Sequence, residues 1–163
     1  MNSVYLSLGS NRGNREQNLQ QATGLLAEKA GKIAASSSVY ETEPWRMDDN
    51  ASFLNQVLLL ETKLKAAALM DMLLAIETGM GRTRTKEKYE PRIIDIDILL
   101  FNTELMLTDK VVIPHPYLHQ RKFVLAPLAE IAPGIIHPAL KKTIEQLLLE
   151  CDDRCNVSRL VSK

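Results

Sequence analysis

Apolar positions along the chain switch between two periods. Val4 to Leu8 alternates as a short strand. Gly9-Ser10-Asn11-Arg12-Gly13 follows as a turn with two glycines. From Asn14 onward, Leu19, Ala22, Leu25, Leu26 and Ala30 recur at helical spacing, and Gly31 stands where a helix ends. Ile33 to Glu41 reads as a second strand and Thr42 to Ser52 as a polar loop carrying Pro44 and Trp45. Phe53 to Thr62 is a strongly apolar strand. Ala66, Leu69, Met70, Leu73, Ile76 and Met80 then form the inner stripe of a second amphipathic helix, closed by Gly79 and Gly81. After a basic loop, Ile93 to Phe101 is a buried strand.

That order, strand–helix–strand–strand–helix–strand, is the split β-α-β pattern. It predicts an α+β protein with a ferredoxin-like βαββαβ core, a mainly antiparallel sheet flanked by helices. Beyond Asn102 the pattern is weaker. Leu105 to Leu107 and Val111 to Ile113 fit a pair of short strands, and Thr143 to Glu150 fits a last helix. Five prolines between Pro114 and Pro138 divide the rest into loops and short helices.

The 163 residues fit one domain, 1–163, with a core large enough to need no staples. Twenty basic residues offset twenty acidic ones, and this zero net charge argues against a nucleic-acid binder. The first residues lack the basic and long apolar stretches of a signal peptide, and no apolar run is long enough to span a membrane. Cys151 and Cys155 are too few for a disulfide framework. A cytoplasmic monomer is the expectation.

The most informative stretch is Arg92-Ile93-Ile94-Asp95-Ile96-Asp97-Ile98-Leu99-Leu100. Strand alternation places Asp95 and Asp97 on one face and Ile94, Ile96, Ile98 and Leu100 on the other. The two carboxylates start roughly 6.6 Å apart at the backbone, close enough to converge on one cation or to hold two. Neighbouring carboxylates repel, and a hard divalent cation removes that conflict. Magnesium uses one or two carboxylates and completes its shell with water and phosphate. An isolated D-x-D more often only faces solvent, so the pair needs support from its surroundings.

That support is the loop just before it, where Arg82, Arg84, Lys86, Lys88 and Arg92 stand against Glu87 and Glu90. Arginine forks bind phosphate in pairs of bonds and stabilise charge on a transferring phosphoryl group. Gly9 to Gly13 lacks the ending of a P-loop and reads as a tight connection. His115 and His119 are four apart with Pro116 between them and no cysteine nearby, a poor zinc pair; His115 suits a phosphate better. Trp45, Phe53, Tyr89 and Phe123 fit core packing or the walls of a flat heterocycle's pocket.

With these residues in place, the chain resembles the 6-hydroxymethyl-7,8-dihydropterin pyrophosphokinases of folate biosynthesis. The likeness runs from Leu8-Gly9-Ser10-Asn11 to Pro114-His115-Pro116 and Arg121-Lys122-Phe123, and its specific core is Pro91-Arg92-x-x-Asp95-Ile96-Asp97-Ile98-Leu99. The resemblance implies pyrophosphoryl transfer from ATP to the pterin hydroxymethyl group, leaving AMP. It implies two magnesium ions held by Asp95 and Asp97, with ATP as co-substrate. Arg82 and Arg84 would be catalytic. Arg92, Ile98, Lys110, His115, Arg121 and Glu77 would serve ATP. Thr42, Pro44, Asn55 and Asp95 would meet the pterin, and Phe53 and Phe123 would sandwich its ring. Phe53 replaces a tyrosine common in the family, Tyr89 a frequent tryptophan, Glu90 a small residue, Leu74 a polar one and Lys110 an arginine. The runners-up are a two-metal nucleotidyltransferase or cyclase, which releases pyrophosphate, and a non-catalytic ligand-binding domain, which leaves ATP intact.

Overall fold

The computed structural model describes residues 1–42, 52–81 and 93–160. Its sheet contains β1 (Asn2–Ser10), β2 (Lys32–Ser36), β3 (Tyr40–Thr42), β4 (Phe53–Thr62) and β5 (Asp95–Phe101). A further strand, β8 (Val157–Arg159), joins it from the C-terminal segment. The order across the sheet is β5-β1-β4-β3-β8, with β2 also paired to β4, and every pairing is antiparallel. This is the expected ferredoxin-like core. The expected strand from Ile33 to Glu41 is instead two strands. Between them, Ser37 turns its hydroxyl to the Val57 N–H and its own N–H to the Val57 carbonyl, which interrupts the ladder.

Helices α1 (Arg15–Lys29) and α2 (Ala66–Gly79) cover one face. Asn14 caps α1 by accepting the Gln17 N–H. At the far end, a Cβ on Gly31 would lie 2.1 Å from the Glu61 carbonyl oxygen, so only glycine lets the chain pass β4 this closely. Leu19, Ala22, Leu26, Leu69, Leu73 and Ile76 meet Leu6, Leu8, Leu54, Leu58, Ile96 and Ile98 in the larger core. A small two-stranded sheet, β6 (Met106–Leu107) and β7 (Val112–Ile113), confirms the expected short pair.

The opposite face is covered by α3 (Lys122–Ile131) and α4 (Ile144–Glu150), packed over Val57, Leu99 and Leu100. Leu100 therefore does not share a face with Ile94, Ile96 and Ile98. The β1–β5 register shifts between Tyr5 and Leu6, leaving Leu99 as an extra residue, and this bulge turns Leu100 over. Helix α3 also runs through Pro127, where the prolines pointed to a break. Burying Val124, Leu125 and Leu128 against the sheet outweighs the lost helical bond, which costs about 3 kcal/mol or more. Among the described residues no helix is long and apolar enough to cross a membrane.

One cluster ties α3 to the β3–β8 edge. Glu130 accepts hydrogen bonds from the Tyr40 hydroxyl at 2.6 Å and from Ser38, and pairs with Arg159 at 3.2 Å. Burial raises the Glu130 pKa, but these donors outweigh it and hold the carboxyl below its usual value. A depressed folded-state pKa contributes stability above the unfolded value, and that contribution is lost as pH falls through the folded one. Glu130→Gln should therefore narrow the gap in Tm between pH 7 and pH 3 relative to wild type, as measured by thermal melts.

Candidate active site

One end of the α3 face is left open as a cavity of about 780 Å³. Its floor is set by strand register. Gly9 pairs with Asn55 on β4 and with Asp95 on β5, and Ser7 pairs with Asp97. Residues paired directly across antiparallel strands share a face, so Asp95, Asp97, Ser7, Gly9 and Asn55 all look the same way. Thr42 pairs with Phe53 one step further along, and all seven line the cavity. Gly9 has no side chain to fill the middle of this row, which leaves room above the floor between Asp95 and Asn55.

The polar half of the floor is braced. The Asn55 amide donates to the Thr42 hydroxyl at 2.7 Å, and both residues are buried. A Cβ on Gly9 would stand 3.2 Å from the Asn55 Oδ1 and 3.8 Å from the Phe53 ring. Gly9→Ala should push Asn55 by a few tenths of an ångström. We expect binding of any flat ring held beside Asn55 and Phe53 to weaken roughly 3–10-fold, with stability changed by less than about 1 kcal/mol. A binding titration beside a thermal melt checks this.

The carboxylates sit on an edge strand whose own backbone is held from behind. The Glu77 carboxylate, only 5% exposed on α2, accepts the Ile96 N–H at 2.8 Å. Ile96 lies between Asp95 and Asp97, so this bond holds the strand at the residue that joins them. Beyond them, the bulge residue Leu99 offers its carbonyl to the His115 N–H at 3.0 Å, which anchors the His115 segment along the strand edge. The His115 Nδ1 accepts the Tyr117 N–H at 3.2 Å, which assigns the remaining ring proton to Nε2 in the neutral form. Burial lowers the His115 pKa; the nearby Asp97 charge raises it and Arg121 lowers it again.

The opposing wall comes from the start of α3. The Arg121 guanidinium lies 5.1 Å from the Tyr117 ring centre and 5.7 Å from that of Phe123, so two rings orient it. Arg121, Tyr117 and Phe123 all line the cavity. The space is thus lined by four carboxylates (Asp95, Asp97, Asp152 and Asp153), an arginine, the rings of Phe53, Tyr117 and Phe123, and a buried amide–hydroxyl pair. A flat polar heterocycle and a phosphate chain are what such walls accept.

Seven expected residues meet there: Thr42, Phe53, Asn55, Asp95, Asp97, Arg121 and Phe123. His115 stands beside Asp97 without lining the cavity. Glu77 lies behind the strand. Ile98 is 3% exposed in the core between sheet and helices, and Lys110 pairs with Asp71 at 2.6 Å; neither lines the cavity. Pro44, Arg82, Arg84 and Arg92 lie outside the described residues, as do Trp45, Tyr89 and Glu90. Tyr117, Gln120, Asp152, Asp153 and Cys155 also line the cavity and were not singled out from the sequence. Only Tyr117 carried a local signal, an aromatic residue between His115 and Arg121.

Among the described residues no three His, Cys, Asp or Glu side chains group as a metal cage. Two carboxylates on one strand face, opening on a cavity, nevertheless suit magnesium, which needs few protein ligands when water and phosphate supply the rest.

Comparison with known proteins decides the family. The sequence profile of 7,8-dihydro-6-hydroxymethylpterin-pyrophosphokinase matches residues 5–133. The chain belongs to this family. It is therefore an enzyme of the ATP-dependent pyrophosphokinase class. A relative in Bacillus subtilis (strain 168), 2-amino-4-hydroxy-6-hydroxymethyldihydropteridine pyrophosphokinase, is 42% identical over 146 residues, covering 89% of this chain and 87% of its own. The Aquifex aeolicus protein of the same name is 39% identical and the match covers 90% of each chain. Among solved structures, Plasmodium falciparum HPPK-DHPS wild type with STZ-DHP superposes over 91% of this chain with a TM-score of 0.72 at 20% identity. This chain spans 43% of that longer one, and the likeness there is one of fold.

Proposed function

We propose that this pyrophosphokinase transfers the β,γ-pyrophosphoryl group of ATP to the hydroxymethyl oxygen of 6-hydroxymethyl-7,8-dihydropterin, with the cavity above Gly9 as its site. The observation that carries the assignment is that Asp95 and Asp97 share one cavity floor with the Asn55–Thr42 pair, in a cavity that Phe53 and Phe123 also line. In the reaction, the hydroxymethyl oxygen forms a bond to the β-phosphorus. The bond from that phosphorus to the oxygen bridging it to the α-phosphorus breaks, AMP leaves with the electron pair, and the hydroxyl proton goes to solvent.

Each residue has a separate task. Phe53 and Phe123 hold the ring by its faces, and Asn55 with Thr42 reads its polar edge. Asp95 and Asp97 hold magnesium, two ions by our reading, which supplies Lewis-acid stabilisation of the phosphate charge when bound. Asp95, the nearer to Gly9 and Asn55, also faces the pterin. Arg121, steadied by Tyr117 and Phe123, binds phosphate oxygens, and the neutral His115 donates from Nε2 to another. Glu77 serves the site through the strand that bears the two aspartates. Arg82, Arg84 and Arg92 add charge to the phosphates from the basic loop, and Lys110 and Pro44 complete the ATP and pterin contacts that the family resemblance implies, while Ile98, buried in the core, supports the aspartate strand from beneath. Positioning and charge stabilisation dominate such a reaction, with little covalent chemistry for the protein itself. Residues 1–163 work as one cytoplasmic domain and as a monomer.

The test is product analysis under anaerobic conditions with ATP, magnesium and the reduced pterin. AMP should appear in equal amount with pterin pyrophosphate, and only when the pterin is present. Release of pyrophosphate would mark a nucleotidyl transfer instead, and unchanged ATP would mark a binding domain.

A further inference from the structure

We propose that Asp153 is a positioning residue for the substrate cavity: from the C-terminal segment, its carboxylate holds the start of α3 and, through it, Arg121 and Phe123. The inference rests on the roles given to those two residues above. Arg121 is the N-cap residue of α3, yet its side chain makes no capping bond. The cap comes from 31 residues away, where the Asp153 Oδ2 accepts the Lys122 N–H at 3.0 Å. Lys122 lies between Arg121 and Phe123, so the bonded peptide carries one wall of the cavity on either side. A carboxylate at a helix N-terminus is favoured both by the free N–H groups and by the helix dipole.

The other oxygen turns the tail itself into a fixed strap. The Asp153 Oδ1 accepts the Cys155 N–H at 3.0 Å, and the Cys155 thiol also bonds this carboxylate. Asp153 and Cys155 both line the cavity. Two residues further on, β8 begins, and its Val157 pairs with Thr42, the partner of Asn55. The segment from Asp153 to Val157 therefore runs from the arginine wall to the amide–hydroxyl wall. Its length and its two attachments set the distance between them. Burial raises the Asp153 pKa, but the Cys155 and Lys122 donors outweigh it and keep the carboxyl below its ordinary value, which keeps the acceptor charged under assay conditions.

The experiment measures kcat and KM for both substrates, with thermal melts, in wild type, Asp153→Ala, Asp153→Asn and Thr143→Ala. Thr143 caps α4, accepting the Gln146 N–H, and touches neither wall. Thr143→Ala should lower Tm by roughly 2–4 °C with both KM values unchanged. Asp153→Ala should raise KM for ATP and for the pterin roughly tenfold each, with kcat changed far less, because the charge-assisted bonds from Lys122 and Cys155 that tie the α3 wall to the tail are lost. Asp153→Asn retains one acceptor oxygen and should fall between wild type and Asp153→Ala; if Asp153→Ala does not fold, the Asn variant carries the test. Variants of Asp153 that lose Tm but keep both KM values within about twofold of wild type would overturn the proposal. Wild-type turnover is read in the same assay, so a failure of the pyrophosphokinase reading is distinguished from a failure of this one.

Discussion

Asp97→Ala should lose at least about 10³-fold in kcat while its far-UV circular dichroism and Tm stay near wild type. Asp97 pairs with Ser7 across the floor of the cavity, and its side chain is exposed to that cavity. Removing an exposed carboxylate costs the fold little. By the function proposed above, however, the site would lose one of the two groups that hold the cation against the phosphates, and such electrostatic stabilisation is worth several kcal/mol in the transition state. Each 1.36 kcal/mol is a tenfold change in rate, so a loss of about 4 kcal/mol gives the expected figure. Single-turnover kinetics with saturating ATP and pterin separates this loss from weaker binding. Near-wild-type turnover by the variant would remove Asp97 from the machinery.

Glu77→Ala should damage stability and activity together. The wild-type carboxylate is buried and accepts the Ile96 N–H, so the variant leaves a cavity and a buried donor without its acceptor. Loss of this buried hydrogen bond, with the desolvation penalty of the abandoned donor and the cavity left behind, comes to about 3 kcal/mol. In a chain of this size that lowers Tm by roughly 6–12 °C. Activity should fall roughly tenfold or more at temperatures where the variant is still folded, because Asp95 and Asp97 flank the released peptide. Glu77→Gln keeps an acceptor oxygen and should recover most of the stability. A Glu77→Ala protein that melts like wild type would mean that the strand is held by its pairing with β1 alone.

The contrast between these two variants reflects what the sequence could and could not convey. Alternation along Ile94 to Ile98 was enough to put both aspartates on one face, because a strand side chain's direction depends only on its own position. It failed at Leu100, because the extra residue at Leu99 is a property of the β1–β5 register and leaves no mark on the pattern of a uniformly apolar strand. The same distinction separates the site residues. Asn55 and Phe53 sit on the strand expected over Phe53 to Thr62, whereas Thr42, expected at the start of a loop, ends β3 and pairs with Phe53; all three line the cavity. Asp153 and Cys155 reach the cavity only because β8 adds to the far edge of the sheet, a three-residue strand too short to announce itself. Helix α3 was obscured for a related reason. Pro127 reads locally as a break, while the burial of Leu125 and Leu128 and the cap from Asp153 are both long-range.

By the function proposed above, the Asp95–Asp97 strand face would hold the divalent cations of pyrophosphoryl transfer. Electron paramagnetic resonance with Mn²⁺ in place of Mg²⁺ tests it most directly, using a non-hydrolysable ATP analogue and the reduced pterin. About two Mn²⁺ should bind per wild-type chain, and none in excess of free nucleotide when Asp95 and Asp97 are both replaced by Ala. Unchanged Mn²⁺ binding by that double variant would contradict it.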